Sequence, residues 1–252
     1  MIEAGQGRAV LLLHGIGGRA CLWQPTLDAL APRARAVAWD MPGYDGGAVL
    51  DPMSFGTLAA AAVTLLDRLG IARADVVGHS MGGMVAIEMG IAHPDRVRSL
   101  CLAATSAAFG GKDAAFRDAF LAARQKPLEE GRGMAGVAAD LVPGMAGPAA
   151  DPAAVPAAQA AMATVPEPAY RAALACLTGF DRRADLSRIT APTLVLAGEA
   201  DATAPPRGMA RLAEAILGAR FAVIPGAGHL LPLEAPDAFH AALLRFLDSV
   251  PA

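Results

Sequence analysis

The chain has 252 residues, of which 54% are hydrophobic and 18% charged, and its formal net charge is −3. That balance excludes a disordered chain, and the lack of any Lys/Arg cluster excludes the electrostatic footprint of a nucleic-acid binder. Three cysteines, Cys21, Cys101 and Cys176, stand far apart without a C-x-x-C pair, which argues against a disulfide framework and against a zinc site. A reducing compartment is the expected setting. The opening Met1-Ile2-Glu3-Ala4-Gly5-Gln6-Gly7 has no basic stretch ahead of a long apolar run, so it does not read as a signal peptide. The most apolar helical stretch, residues 58–66, is too short to span a bilayer. The expectation is a soluble, cytoplasmic protein with neither a membrane nor a nucleic acid as partner.

Val10-Leu11-Leu12-Leu13 is a continuous apolar run closed by His14-Gly15-Ile16-Gly17-Gly18, the pattern of a strand buried on both faces. A helix is expected from Trp23 to Leu30, then a strand over 34–39 that Asp40-Met41-Pro42-Gly43-Tyr44 breaks. Ser54 can cap a helix reaching Leu69, with Gly70 as its stop. A strand at 75–77 leads into a helix that ends at His93, and Val97 to Ala103 forms the next strand. This alternation predicts an α/β fold with a doubly wound, mostly parallel sheet. Over 106–187 the alternation stops and the composition turns to Ala, Pro, Met and Gly, the mark of a helical insertion. Helices are expected there at 113–124, 132–141, 151–164 and 167–177, broken at Pro127, Pro143, Pro148 and Pro166. Strands resume at 193–197 and 220–224, with helices at 208–217 and 236–248.

The hexapeptide Gly78-His79-Ser80-Met81-Gly82-Gly83 follows a strand and opens a helix, the frame in which G-x-S-x-G lifts a serine hydroxyl out of a sharp turn. With 27 glycines and six serines in the chain, about 0.07 accidental matches are expected, so chance explains it poorly. A β-carbon two places before or after Ser80 would collide with a neighbouring strand or helix. A serine hydroxyl is a weak nucleophile at neutral pH and needs a base that a third group orients.

Four of the five histidines fit that base poorly. His79 points away from the hydroxyl in such a turn and reads as packing. His14 stands at a glycine turn where backbone geometry matters more than its ring, His93 precedes Pro94 at a helix end, and His240 reads as exposed on the last helix. His229 lies in Gly226-Ala227-Gly228-His229-Leu230 straight after a strand, and such loops converge on the ligand crevice of an open α/β sheet. Asp201 occupies the equivalent loop one strand earlier, giving the order Ser80, Asp201, His229. Glu199 and Asp40 are the rival carboxylates, Asp40 within a turn that a carboxylate can stabilise, and Glu234 reads as structural. Charge developing on an attacked carbonyl needs preorganised N–H donors, for which Met81 and Ile16 are the expected residues. The loop holding Ile16 has neither the lysine of a phosphate-binding loop nor G-x-G-x-x-G spacing, so a nucleotide is not expected.

Taken together, Leu13-His14-Gly15-Ile16-Gly17-Gly18, Asp40-Met41-Pro42-Gly43-Tyr44, the serine hexapeptide, Pro192-Thr193-Leu194-Val195-Leu196-Ala197-Gly198-Glu199-Ala200-Asp201 and Gly228-His229-Leu230-Leu231-Pro232-Leu233-Glu234 make the chain resemble the α/β-hydrolase superfamily. The resemblance implies a core of residues 1–105 and 188–252, with 106–187 as a helical cap over the site. It implies Ser80 as nucleophile, His229 as base, Asp201 as orienting acid, and the Ile16 and Met81 amides as the oxyanion hole. Serine at 80 differs from the haloalkane dehalogenases and epoxide hydrolases of that superfamily, which carry aspartate. The cap and Phe180-Asp181-Arg182-Arg183-Ala184-Asp185-Leu186 look most like 3-oxoadipate enol-lactonases and their small-ester relatives. Leu230 stands where the carbon-carbon bond hydrolases of ring-cleavage pathways commonly have tryptophan.

The expected activity is hydrolysis of a small-molecule carboxylic ester or lactone through an acyl-enzyme, with no metal or organic cofactor. The alternatives are carbon-carbon bond hydrolysis or cofactor-free perhydrolysis by the same residues, and non-catalytic binding of a small ligand. Within the cap, Phe109, Phe116, Phe120, Met134, Met145 and Met162 recur at helical spacing, which favours core packing over pocket lining. Arg117, Arg124 and Arg132 could hold a substrate carboxylate, or could lie on solvated helix faces.

Overall fold

The computed structural model describes residues 1–109 and 114–251. In chain order the first half comprises β1 (Ile2–Ala4), β2 (Ala9–Leu13), α1 (Gln24–Leu30), β3 (Arg35–Ala38), α2 (Phe55–Arg68), β4 (Ala74–His79), α3 (Met81–Ala92) and β5 (Val97–Ala103). Four helices follow, α4 (Ala114–Glu129), α5 (Gly133–Leu141), α6 (Ala154–Ala163) and α7 (Glu167–Leu177). The chain then returns through β6 (Thr193–Gly198), α8 (Pro206–Glu214), β7 (Arg220–Ile224), α9 (Leu231–Glu234) and α10 (Pro236–Ser249).

The strands form one sheet in the order β1-β3-β2-β4-β5-β6-β7. Every pairing is parallel except that of β1 with β3. Because strand side chains alternate faces, the fully apolar β2 divides its residues between two cores. Leu11 and Leu13 pack with α2, α3 and α8, while Val10 and Leu12 pack with α1 and α10 on the other face. This is the doubly wound α/β arrangement expected. Ser54 caps α2 by accepting from the Thr57 N–H at 3.1 Å, while Thr57 Oγ1 accepts from the Ser54 N–H at 2.9 Å, and Gly70 ends the helix at φ +66°.

Three expectations change. Helix α4 runs through Pro127 instead of stopping before it. Proline removes the N–H that would serve the carbonyl of Ala123, but Ala123 is exposed and water can take its place. The expected start of this helix at Asp113 falls outside the described residues. The short elements β1 and α9 were not anticipated. Among the described residues no helix is long and apolar enough to cross a membrane.

Where the helical insertion leaves and re-enters the sheet domain, the two chain segments are hydrogen-bonded to each other. There the Phe109 N–H donates to the Phe180 carbonyl at 2.8 Å and the Arg182 N–H to that of Ala107 at 2.8 Å. Arg182 also grips the buried Glu88 of α3 through Nε and Nη2 at 2.6 and 3.1 Å, a bidentate pair that fixes the returning chain to the core.

Candidate active site

Ser80 sits between β4 and α3 at φ 53° and ψ −120°, a strained conformation for a residue with a β-carbon. The surroundings hold it there. Its N–H donates to Ala103 O at 2.9 Å, and its carbonyl accepts from Thr105 Oγ1 at 2.6 Å and from the Gly83 N–H at 2.9 Å. A β-carbon on Gly78 would meet the backbone of Gly82, and one on Gly82 would meet the carbonyls of Leu13 and His14. The first collision is with the helix and the second with the end of β2, so the turn closes only with hydrogen at both places.

The three residues expected to act together do meet. Ser80 Oγ lies 3.0 Å from His229 Nε2, and His229 Nδ1 lies 2.8 Å from Asp201 Oδ2. The other Asp201 oxygen accepts from the N–H groups of Thr203 and Ala204 at 2.7 and 2.9 Å. Burial alone would raise the Asp201 pKa. The His229 hydrogen bond, the His229 charge and the two N–H groups outweigh burial and hold the carboxyl below its ordinary value. The rival carboxylates are engaged elsewhere. Glu199 accepts from the Gly226 N–H at 2.9 Å, and Asp40 accepts from Arg19 Nε at 2.6 Å, the Ala20 N–H at 3.1 Å and the chain's amino terminus at 3.0 Å.

The backbone of His229 is gripped on both sides. Its N–H donates to Met145 O at 2.7 Å, and its carbonyl accepts from His79 Nε2 at 2.6 Å. Glu234 Oε2 accepts from the N–H groups of Gly147 and Gly228 at 2.6 and 2.7 Å, tying the same loop to the insertion. The structural reading of Glu234 therefore holds, and His79 does more than pack.

His14 corrects its reading as a bystander ring. Burial lowers its pKa to about 4, so it is neutral near pH 7. Its Nε2 accepts from the Met41 N–H at 2.9 Å, which leaves Nδ1–H to donate to Gly15 O at 2.8 Å. The ring thus sets the curvature of the loop carrying Ile16. Met41 lies 27 residues along the chain from His14, so no local sequence signal reports this role. His240 is half-buried and hydrogen-bonded to Thr26 Oγ1 at 3.0 Å, not exposed.

Within the Ile16 loop the Gly18 N–H donates to Gly15 O at 3.0 Å and the Gly17 N–H to the Tyr44 hydroxyl at 3.4 Å. Among the described residues no acceptor takes the N–H of Ile16 or of Met81. Ser80 and His229 stand where two chambers join, with Ile16, Met145 and Met162 also common to both. The smaller chamber, about 70 Å³, lies over the glycine loop beside Trp23 and Val142. The larger, about 750 Å³, extends under the insertion. Phe109, Phe116, Phe120, Met145 and Met162 line it, whereas Met134 belongs to the core. Helical periodicity finds the inward face of a helix but is blind to whether the space it faces is filled. Among the described residues no group of three or more His, Cys, Asp or Glu side chains could hold a metal ion.

A strained serine between a parallel strand and its helix, with histidine and carboxylate supplied by later strand ends, is the site layout of α/β hydrolases. The model of the alpha/beta hydrolase family matches residues 10–242, and the chain belongs to that family. RutD of Azorhizobium caulinodans, provisionally named a carbamate hydrolase, is 30% identical over 98% of this chain and 93% of its own length. The enol-lactonase of Burkholderia xenovorans LB400 superposes with a TM-score of 0.87 at 26% identity, covering 98% of this chain and 95% of that one. A thermophilic esterase from Thermogutta terrifontis gives 0.89 at 27% identity, covering 100% of this chain and 93% of its own. These likenesses support a hydrolase on the alpha/beta fold.

Proposed function

We propose that the protein is a serine hydrolase of small-molecule carboxylic esters or lactones. Residues 1–105 and 188–252 form its catalytic core and 106–187 its cap. The observation that carries this reading is the hydrogen-bonded chain Ser80–His229–Asp201 at the junction of two mostly apolar chambers. Ser80 Oγ attacks the carbonyl carbon as His229 Nε2 takes the hydroxyl proton, and the Asp201 carboxylate stabilises the imidazolium so formed. The N–H groups of Ile16 and Met81 receive the negative oxygen, each such donor lowering the barrier by about 2.7 to 4 kcal/mol. The adduct collapses, His229 returns its proton to the departing alkoxide, and water then releases the acyl group with His229 again as base. The activities named for the relatives, on a carbamate, a lactone and an ester, share attack on a carbonyl with a heteroatom leaving group.

A fluorophosphonate probe tests the nucleophile, and a covalent adduct on Ser80 is expected by mass spectrometry. A panel of 4-nitrophenyl esters and lactones tests turnover, with Ser80→Ala as control. Equal rates for the variant and its parent would remove this reading.

A further inference from the structure

The hydrolytic steps use no charged side chain of the larger chamber's lining, yet that lining is charged. Three arginines line the chamber, Arg124, Arg183 and Arg211, and among the described residues no Asp or Glu does. In a chain of net charge −3 this is a local excess of cations. Arg183 is paired with Asp181 at 3.0 and 2.5 Å, and Arg211 is exposed, so solvent or a counter-charge serves both. Arg124 has neither in full. Its guanidinium lies 3.4 Å over the Phe120 ring and, among the described residues, its one acceptor is the Phe120 carbonyl at 3.3 Å, although the group offers five donors. Burial lowers its pKa, and among the described residues what opposes that shift is Tyr170 and not a carboxylate.

Tyr170 of α7 lines the same chamber at 1% exposure, and its hydroxyl has no hydrogen-bond partner among the described residues. Burial pushes its pKa up to about 12 and the Arg124 charge pulls against that, so the two groups lie within electrostatic reach of each other. Among the described residues, a guanidinium without a carboxylate partner and a phenol without a hydrogen-bond partner line one chamber, and together they are complementary to a carboxylate. The guanidinium can donate two parallel bonds and the hydroxyl a third. Phe120 beneath the guanidinium fixes its plane.

We propose that Arg124 and Tyr170 form an anion subsite, and that the substrate is an ester or lactone carrying a carboxylate on the part that occupies the larger chamber. The smaller chamber, with no Asp, Glu, Lys or Arg in its lining, takes the uncharged part. A neutral substrate leaves the desolvated guanidinium uncompensated, so the subsite discriminates against it. Turnover of such a substrate rests on the hydrolase reading above; binding of the anion does not.

Two matched pairs test the subsite: mono-4-nitrophenyl pimelate against 4-nitrophenyl heptanoate, with the charge on the acyl part, and 4-acetoxybenzoate against its methyl ester, with the charge on the leaving group. In at least one pair the parent should favour the anion at least tenfold in kcat/KM, chiefly through KM. Arg124→Gln should lower that ratio at least tenfold, Arg124→Lys should restore part of it, and Tyr170→Phe should lower it several-fold. Ratios near one in both pairs, or ratios that Arg124→Gln leaves unchanged, would overturn the subsite while leaving ester hydrolysis intact. Should Arg124→Gln fail to fold, competition in the parent decides: pimelate must inhibit competitively and its diamide must not, and equal inhibition rejects the subsite. Calorimetric titration of Ser80→Ala with pimelate reads binding without turnover. Arg124-dependent binding in a parent that hydrolyses no ester would sustain the subsite and sink the hydrolase reading instead.

Discussion

Helix α3 buries 11 of its 12 residues, whereas α4 buries only Pro127 and Leu128 of its 16. The first begins directly after Ser80 and is wedged against the sheet. The second carries Phe116, Phe120 and Arg124 along the outer wall of the larger chamber. The contrast teaches where each task is anchored. The proposed nucleophile hangs on an element that cannot shift without disturbing the core. Arg124, proposed to help choose the substrate, hangs on one with few contacts to lose, where substitution is cheap, while its proposed partner Tyr170 is buried on α7.

Four experiments would break or sharpen that contrast. Asp201→Asn should leave the fold intact by circular dichroism yet cut kcat on esters by about four orders of magnitude, because the amide favours the wrong imidazole tautomer. Full activity would detach the carboxylate from the mechanism. Next, Gly82→Ala places a methyl against the carbonyls of Leu13 and His14, and urea unfolding should show a loss of about 3 kcal/mol or more.

Acid should act on the core side as well. Burial lowers the pKa of both His14 and His79 to about 4 from the ordinary 6.5. The unfolded chain therefore takes up these protons first as pH falls. Their stabilising effect is complete above about pH 6.5 and is lost as pH falls toward 4, with a slope approaching 2.7 kcal/mol per pH unit for two groups. The depressed carboxyl of Asp201 contributes stability above its unfolded value that is also lost on acidification, further down the scale. Unfolding free energies that stay level from pH 7 to 5 would contradict the buried, neutral rings. The smallest effect belongs to Ala122→Ser on the exposed face of α4, which should change stability by no more than about 0.5 kcal/mol.

Much of the core was legible because its signals are local. The β2 run, the Ser54 cap, Gly70 and the glycines around Ser80 each report their conformation within a few residues. Loop order along the sheet was enough to single out His229 and Asp201. What stayed hidden depends on partners distant in the chain. The ring of His14 matters through Met41, Asp40 through Arg19 and the amino terminus, and Glu234 through Gly147. Pro127 misled because its cost depends on whether solvent reaches the orphaned carbonyl. Phe109, Phe116 and Phe120 misled because the wall of a chamber and a filled core present the same stripe. Among Arg117, Arg124 and Arg132 only tertiary context separates them. Arg132 is spent on Asp140 and Glu130, Arg117 sits beside Asp118 in solvent, and Arg124 faces the chamber.

The neck at Ala107 and Arg182 makes the inserted helices look exchangeable as one cassette, to be swapped for those of another member of the family in order to change what is admitted. The Met145 carbonyl limits that freedom. It is the peg on which the amide of His229 hangs, so a transplanted cassette would inherit the serine and its turn but would have to rebuild that peg before the imidazole could stand in line.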